Sequence, residues 1–266
     1  MCVLEISYNK AGGFAMSFIE VPNLPEKPVS LAVVDERISP ESCAVLERLG
    51  VSLIKIQRHP CLYGAVSSHP DMLLHPVGGD LIVHAPGISD ELGVSLAEAG
   101  FRLIKGAAEL SPEYPRDIAY NAARIGRFYF HNLKHTDPVL RKELEKAGVE
   151  PVHVEQGYTK CSVALVDENT MITSDKGIAR TAEGKGIDAL LIDPGQGILL
   201  PGLDYGFIGG ATGLLGKHRL AVNGAAAGLK SFEAIRSLLF SKNGALHSLS
   251  GLPVTDIGSI LPLMTY

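Results

Sequence analysis

The sequence of 266 residues lacks tryptophan, has few other aromatic residues (6%) and contains only four cysteines. The cysteines, at positions 2, 43, 61 and 161, form no CxxC pair and no spacing with histidine that is typical of a zinc site. A disulfide framework needs paired cysteines, and small secreted domains are where such frameworks are common. We therefore expect four free thiols, with no metal and no cofactor.

The sequence also has no excess of basic residues. Its net charge is −5 and its pI is about 6.0, whereas proteins that bind nucleic acids or anionic membranes concentrate Lys and Arg. No apolar run approaches the roughly 20 residues of a membrane span, and the first residues lack the basic and then apolar pattern of a secretion signal. These absences predict a cytoplasmic protein that acts on a small solute.

The sequence is rich in glycine, with 29 residues, and five of the glycines follow predicted helices. These glycines are Gly50, Gly100, Gly148, Gly186 and Gly244. Glycine ends a helix by adopting a positive φ without a steric penalty. Each predicted helix starts at a Ser or Thr, the residue types favoured as N-caps. The predicted N-caps are Ser39, Ser89, Thr136, Ser174 and Ser231.

Segments typical of β-hairpins lie between these helix and strand units. The clearest, TKCSVALVDENTMITSD from Thr159, predicts strands over 161–166 and 171–173 around an Asp-Glu-Asn turn. Similar segments start at His69, Pro115 and Ile208. A fifth, from Val254, holds a single strand, which the strand predicted at 31–34 would complete. The first regular strand of the chain would then close a ring, which leaves no open sheet edge. Further strand material is predicted over 14–21.

The repeated order of elements predicts an α/β fold of five ββαβ copies, each of roughly 46 to 50 residues. A doubly wound sheet is the alternative, but the hairpins make neighbouring strands antiparallel and argue against it. We expect a single domain over 1–266. Its leading segment is 1–27, and its repeats lie at about 28–66, 67–113, 114–156, 157–205 and 206–266.

Five ββαβ units that close on themselves resemble the pentein superfamily of guanidino-group-modifying enzymes, which includes arginine deiminase, dimethylarginine hydrolase and amidinotransferase. The resemblance covers residues 28–266 and rests on the order of the repeats. It implies a five-fold pseudosymmetric α/β propeller in which one residue of each unit points into an axial channel. Those residues are Asp71, Asp117, Cys161, Gly210 and Asp256. Three carboxylates and a thiol are not typical of an apolar core.

The resemblance also implies a catalytic set. Catalytic penteins carry a nucleophilic Cys two units after a His-x-Asp motif, and His69-Pro70-Asp71 and Cys161 have that relative placement. In the usual chain order both lie later in the sequence, so the match implies a circular permutation. Without a permutation, Thr159 and Asp256 take the places of the His and the Cys, and the usual set is absent.

The chemistry of a guanidinium group gives each of these residues a role. Its carbon is a poor electrophile, so a Cys161 thiolate is required, and a cation such as protonated His69 or Lys160 would lower the pKa of that thiol. His69 would carry protons to the leaving amine and from water. The alternative is that Cys161 is a buried small hydrophobic residue and that His69 is only part of a turn.

Carboxylates are suited to hold the cationic group through paired hydrogen bonds, which is the role expected of Asp71, Asp117 and Asp256. Arg116 would either bind a substrate carboxylate or pair with Asp117. The alternative for each Asp is a hydrogen bond to a nearby backbone amide.

The sequence therefore predicts a Cys-dependent hydrolase or transferase that acts on a C–N bond of a small cationic guanidino or amidino compound through an adduct on Cys161. The alternative function is that of a non-catalytic binding module, like the ribosome anti-association factor that shares the pentein fold.

Overall fold

The computed structural model describes residues 16–266, which form five small β-sheets. The first elements are β1 (Ser17–Phe18), β2 (Val29–Asp35), α1 (Pro40–Arg48) and β3 (Ser52–Ile56). Next come α2 (Pro70–Leu73), β4 (Leu74–Gly78), β5 (Leu81–His84), α3 (Asp90–Glu98) and β6 (Arg102–Lys105). The middle unit consists of β7 (Ala123–Ile125), β8 (Phe128–His131), α4 (Pro138–Lys146) and β9 (Glu150–His153).

The second half of the chain repeats this order. It begins with α5 (Thr159–Ser162), β10 (Val163–Asp167), β11 (Thr170–Thr173), α6 (Lys176–Glu183) and β12 (Asp188–Leu191). It continues with β13 (Thr212–Leu214), β14 (Arg219–Val222), a short 3-10 turn at Ala226–Gly228, α7 (Phe232–Ser241), β15 (Ala245–Ser248) and β16 (Leu261–Thr265). No helix within 16–266 has the length and apolar character that a membrane crossing needs.

Each sheet has the same topology. The first strand of a hairpin runs antiparallel to the second, as in β4 and β5, where Leu74 lies opposite His84. The second strand runs parallel to a third, as in β5 and β6, where Ile82 lies opposite Leu103. A parallel pair requires a crossover, and one helix supplies it in every unit. The predicted ββαβ fold is confirmed.

The chain closes its ring through β16, the strand predicted after Val254. The predicted pairing of this strand with the strand at 31–34 is confirmed, and the antiparallel register of β16 and β2 places Leu261 opposite Val33. The strand β1 then pairs with the other side of β16. Of the strand material predicted over 14–21, the described residues keep only this short strand, and residues 14 and 15 lie outside them.

The starts and ends of the helices follow the expected chemistry with small shifts. Ser39 and Ser89 accept the N-cap hydrogen bond as predicted, but Asp137 and Asp175 do so instead of Thr136 and Ser174, since the carboxylate lies one residue nearer the helix. Ser231 occupies its N-cap without a side-chain bond. Positive φ ends the helices at four of the five glycines, and Asn243 takes that role before Gly244.

The core lies on the inner face of each long helix and in both strands of each hairpin. Each of the five long crossover helices has at least one completely buried residue. Examples, one from each helix, are Leu46, Leu96, Leu144, Ala182 and Leu239. Burial of a leucine side chain contributes about 1.5–3 kcal/mol. This packing fixes the positions of the segments that precede β4, β7, β10, β13 and β16, and those segments supply the polar residues near the axis.

Candidate functional site

A pocket of about 300 Å³ brings together three of the residues that the sequence singled out, namely His69, Cys161 and Asp256. A volume of this size suits a small molecule. The other lining residues are Tyr63, Val66, Tyr158, Leu200, Leu203, Asp204, Tyr205 and Phe207. Polar groups therefore meet at one part of a largely apolar wall.

Cys161 lies in the short helical turn α5 rather than in the strand predicted for 161–166. Its Sγ lies 3.2 Å and 3.3 Å from the two carboxylate oxygens of Asp71, to which the thiol donates. The side-chain amide of Asn121 donates to Sγ at 3.2 Å. The sulfur is thus held on two sides, and the residue is only 3% exposed.

The electrostatics of Cys161 are opposite to the expectation that a neighbouring cation lowers its pKa. Burial raises the pKa of the Cys161 thiol well above its ordinary value, and the carboxylates of Asp71 and Asp256 raise it further. The expected low pKa is therefore wrong for this pocket. The thiol is protonated at neutral pH and becomes a nucleophile only if its surroundings change.

Lys160 lies next to Cys161 in the chain, but its ammonium group does not face the sulfur. Its Nζ donates to the hydroxyl of Ser259 at 2.8 Å, and that hydroxyl lies 2.8 Å from Asp71 Oδ2 and 2.9 Å from the Gly209 carbonyl oxygen. Burial lowers the pKa of Lys160, whereas the nearby Asp71 carboxylate opposes that shift. Lys160 therefore supports Asp71 and is absent from the residues that line the pocket.

His69 is completely buried, and burial lowers its pKa to about 3, so the ring is neutral. Its Nδ1 lies 3.9 Å from Asp256 Oδ1. Within residues 16–266 neither ring nitrogen has a hydrogen-bond partner. Buried polar atoms are rarely left without partners, so this ring is available to a molecule in the pocket.

Donor atoms of His69, Asp71 and Cys161 all lie within 4.8 Å of one another. Nitrogen, oxygen and sulfur donors of these types are ligands that zinc accepts. This trio is therefore the group in the described part of the chain whose geometry could hold a metal ion, and the cysteine spacing in the sequence did not indicate it. The same three groups also fit nucleophilic chemistry, so experiments on Cys161 need a metal chelator.

Asp256 is the carboxylate that faces the pocket beside His69. Its two oxygens accept backbone N–H groups of Phe207 and Gly258 at 2.8 Å and 3.0 Å. Burial is the main cause that raises the pKa of Asp256 to about 7, and the charge of Asp71 adds to it. The group is therefore close to half ionised at neutral pH.

This raised pKa makes stability depend on pH. In the folded chain Asp256 keeps its proton up to about pH 7, whereas the unfolded residue releases it near 3.8. Between these values the folded state binds more protons, so ionisation destabilises it. We expect the unfolding free energy of the wild type, relative to Asp256→Asn, to fall from about pH 4 to pH 7 and then to level off. Urea titrations of both proteins across that range measure it; parallel pH profiles would contradict the expectation.

Gly258 lets the chain pass close to His69. Its φ is +66°, and a Cβ at this position would lie 2.2 Å from the His69 Cβ. Gly258→Ala is therefore expected to cost roughly 2–4 kcal/mol of stability through overpacking and an unfavourable backbone conformation. Denaturant unfolding measures the loss. Gly251→Ala is the control, since nothing lies within 4 Å of its added Cβ; equal losses in the two variants would contradict the crowding at His69.

The structure does not bring Asp117 and Arg116 to the pocket. The Tyr158 hydroxyl, whose ring lines the pocket, donates to Asp117 Oδ2 at 2.5 Å and so stands between that carboxylate and the cavity. The Arg116 guanidinium is 64% exposed and pairs with Glu113 at 2.5 Å rather than with Asp117. Neither residue is placed to bind a molecule in the pocket directly.

The repeats explain this difference, because the predicted axial column is out of register in three of the five units. Asp71 stands three residues before Leu74, the first residue of β4. Cys161 and Gly210 stand two residues before Val163 and Thr212, the first residues of their strands. Asn121 and Ser259 have that same place before β7 and β16, instead of Asp117 and Asp256. Sequence reasoning therefore missed Asn121 and Ser259, because the equivalence of these positions appears only when residues are counted back from the observed strand starts, and the strand predicted from Cys161 starts at Val163.

A family model described as "Family of unknown function (DUF6873)" matches residues 33–261. The chain belongs to this family. No curated protein matches the sequence. The family match covers most of the five units, so the fold described above is the fold of this DUF6873 chain.

Solved structures similar to this DUF6873 chain include two amidinotransferases. Inosamine-phosphate amidinotransferase StrB1 from Streptomyces griseus has a TM-score of 0.56 at 11% identity, covering 91% of this chain and 94% of the other. SxtG, an amidinotransferase from Microseira wollei in the saxitoxin biosynthetic pathway, has a TM-score of 0.52 at 14% identity, covering 86% and 91%.

A third similar structure is agmatine deiminase from C. jejuni, with a TM-score of 0.52 at 10% identity over 92% of its chain and 91% of this one. At these identities the similarity shows the fold. It confirms the predicted pentein fold, which the two amidinotransferases and the agmatine deiminase share.

Proposed function

We propose that this protein is a Cys-dependent hydrolase or transferase that cleaves a C–N bond of a small cationic guanidino or amidino compound. The observation that carries the proposal is the convergence of a thiol, a neutral imidazole without partners and a buried carboxylate on one pocket. Such a combination of a nucleophile, a proton carrier and a cation-binding group is typical of covalent catalysis.

Binding of a cation is the first step of the proposed reaction. Asp256 and Asp71 are the carboxyl groups beside the thiol, and burial raises the pKa of each. A guanidinium ion beside Asp256 would favour its ionised form and would also favour the Cys161 thiolate. The substrate thereby supplies the positive charge that the sequence had assigned to His69 or Lys160.

The proposed reaction needs no oxidant, reductant or other reagent beyond the substrate and the attacking water or amine. The thiol releases its proton towards Asp71, Sγ attacks the amidino carbon, and a C–S bond forms. The C–N bond to the leaving amine breaks, and the amine departs with the proton that the thiol released, which His69 would pass on. Water, or a second amine, then attacks the same carbon, the C–S bond breaks, and a proton of the attacking group returns to Sγ, giving hydrolysis or transfer respectively.

Selective alkylation tests the proposal. Chloroacetamidine and its neutral analogue chloroacetamide both form a C–S bond with loss of chloride, but only the former carries the cation. Cys61 is a free and exposed thiol in the same molecule and serves as the internal reference. For each reagent, the rate of labelling at Cys161 is divided by the rate at Cys61, with a chelator present. We expect this rate ratio to be about tenfold higher for chloroacetamidine than for chloroacetamide, because ~1.4 kcal/mol of extra attraction corresponds to a factor of ten.

Mass spectrometry over time of the peptides that contain Cys161 and Cys61 gives the ratio of their labelling rates. The same ratio for both reagents would overturn a cation-binding nucleophile at Cys161. Loss of the preference in Asp256→Asn, with Cys61 labelling unchanged, would assign the attraction to the pocket.

A non-catalytic binding module is the second candidate, and the raised pKa of Cys161 favours it because an inert thiol has that property. The two functions differ in the fate of the ligand. A module would bind a guanidinium compound and release it unchanged, whereas the enzyme would release an amine from it. Amine release by the wild type, absent in Cys161→Ala, separates them.

A further inference from the structure

We propose that the substrate carries its guanidinium or amidinium head on an uncharged apolar tail, such as an alkyl or aryl chain, and bears no carboxylate. This inference rests on the proposed function, since it takes the cationic head to lie at His69, Cys161 and Asp256. It goes further by stating what the rest of the molecule is. The observations that carry it lie in the outer wall of the pocket.

The first observation is the charge of that wall. Among the described residues that line the pocket none is Lys or Arg, and the ionisable ones beyond the thiol and the tyrosines are neutral His69, Asp204 and Asp256. A substrate carboxylate would have to leave water to lie among groups of its own sign. Desolvation without a partner is costly, so the pocket discriminates against amino acids such as arginine.

The second observation is that nearby cations are held by other groups. The Arg37 guanidinium donates to both Asp35 oxygens and to the carbonyl oxygens of Gly64 and Ala65. Arg116 pairs with Glu113. The positive charges of both arginines are therefore paired with other groups of the protein. Neither guanidinium is free to bind a carboxylate of a ligand in the pocket.

The third observation is apolar surface at the pocket that remains exposed. Leu203 and Tyr205 line the pocket and are nevertheless 49% and 51% exposed, while the ring of Phe207 packs at 5.8 Å from that of Tyr205. An apolar tail would cover these side chains. Each methylene group that it buries would strengthen binding by roughly fourfold, the equivalent of ~0.8 kcal/mol.

Four guanidines that share one head test the tail. Methylguanidine has almost no tail, butylguanidine has an apolar tail, agmatine adds an amine to that tail, and arginine adds a carboxylate as well. The readout is the concentration of each that halves the rate of chloroacetamidine labelling at Cys161. We expect the protecting concentration of butylguanidine to be about tenfold or more lower than that of methylguanidine. We expect the protecting concentration of arginine to be about tenfold or more higher than that of butylguanidine.

The outcomes separate the two proposals. Equal protection by all four guanidines, or stronger protection by arginine, would overturn the apolar tail while supporting a guanidinium site. Protection by none of them, together with unselective labelling, would overturn the proposed function and with it this inference.

Leu203→Arg provides a variant that reverses the preference, because it places a cation on the outer wall. We expect it to improve protection by arginine about tenfold and to weaken protection by butylguanidine. Leu252→Arg is the matched control, since Leu252 is 44% exposed and does not line the pocket. Unchanged protection in Leu203→Arg, or the same change in both variants, would overturn the placement of the tail against Leu203.

Discussion

Cys161→Ser is expected to abolish adduct formation and to reduce amine release from alkylguanidines by about a thousandfold or more, because a hydroxyl cannot replace the thiolate as a nucleophile. The substitution is small and keeps a hydrogen-bond donor for Asp71, so the fold is expected to persist. Amine release is measured by derivatisation and chromatography across a panel of alkylguanidines.

Cys61→Ser is the control for this experiment, since Cys61 is also a free thiol but is exposed and lies outside the pocket. We expect it to keep full activity. Undiminished turnover in Cys161→Ser would exclude covalent chemistry at Cys161, and loss of turnover in both variants would indicate a general effect on the fold.

Asp256→Asn is expected to weaken binding of a guanidinium compound by about thirtyfold or more, which corresponds to the loss of at least ~2 kcal/mol from a buried charged hydrogen bond. Asp256 is the completely buried carboxylate of the pocket, and in the low-dielectric interior its attraction for a cation is screened less than at the surface. The protection assay with butylguanidine measures the change.

Asp204→Asn is the matched control, because Asp204 also lines the pocket but is exposed. Solvent screens its charge, so we expect a change of about threefold or less. Equal losses in the two variants would contradict the assignment of the guanidinium to Asp256, and a larger loss in Asp204→Asn would move the head group to the mouth of the pocket.

The fold was largely predictable from the sequence, because its repeats carry local signals that are independent of distant contacts. Helix caps, helix-ending glycines and hairpin turns mark the same elements five times, so an ambiguity in one copy is resolved by the others. The pairing of β16 with β2 required one non-local argument, namely that a single unpaired strand remained at each end. The errors in the caps were shifts of one residue.

The site was less predictable, because the segments before the strands differ in length among the units. An alignment on Cys161 placed Asp117 in the axial column, while the structure places Asn121 there, against the Cys161 sulfur at 3.2 Å. The segment from Asp117 to β7 is longer than the segment from Cys161 to β10, and the alignment did not allow for that difference. His69, Asp71 and Cys161 were singled out through the resemblance to a His-x-Asp motif and a Cys two units later, although Asp71 stands three residues before β4 and Cys161 two residues before β10.

The electrostatics of Cys161 could not be predicted from neighbours in the sequence. Lys160 is adjacent in the chain, yet successive residues of a helical turn point in different directions, and its ammonium reaches Ser259 instead. The pKa of the thiol is set by its burial and by two carboxylates that come from distant parts of the chain. Only the three-dimensional structure shows this environment, and the proposed function takes the positive charge from the substrate.

The most direct test is a titration of the Cys161 thiol with and without a bound cation. The ultraviolet absorbance of the thiolate is recorded against pH for a Cys61→Ser protein and for the same protein with Cys161→Ala, and their difference isolates Cys161. If a guanidinium ion activates the thiol, saturating methylguanidine will lower its pKa by about one unit or more. A pKa that stays the same, or rises, in the presence of methylguanidine would contradict a Cys161 nucleophile that its own substrate activates.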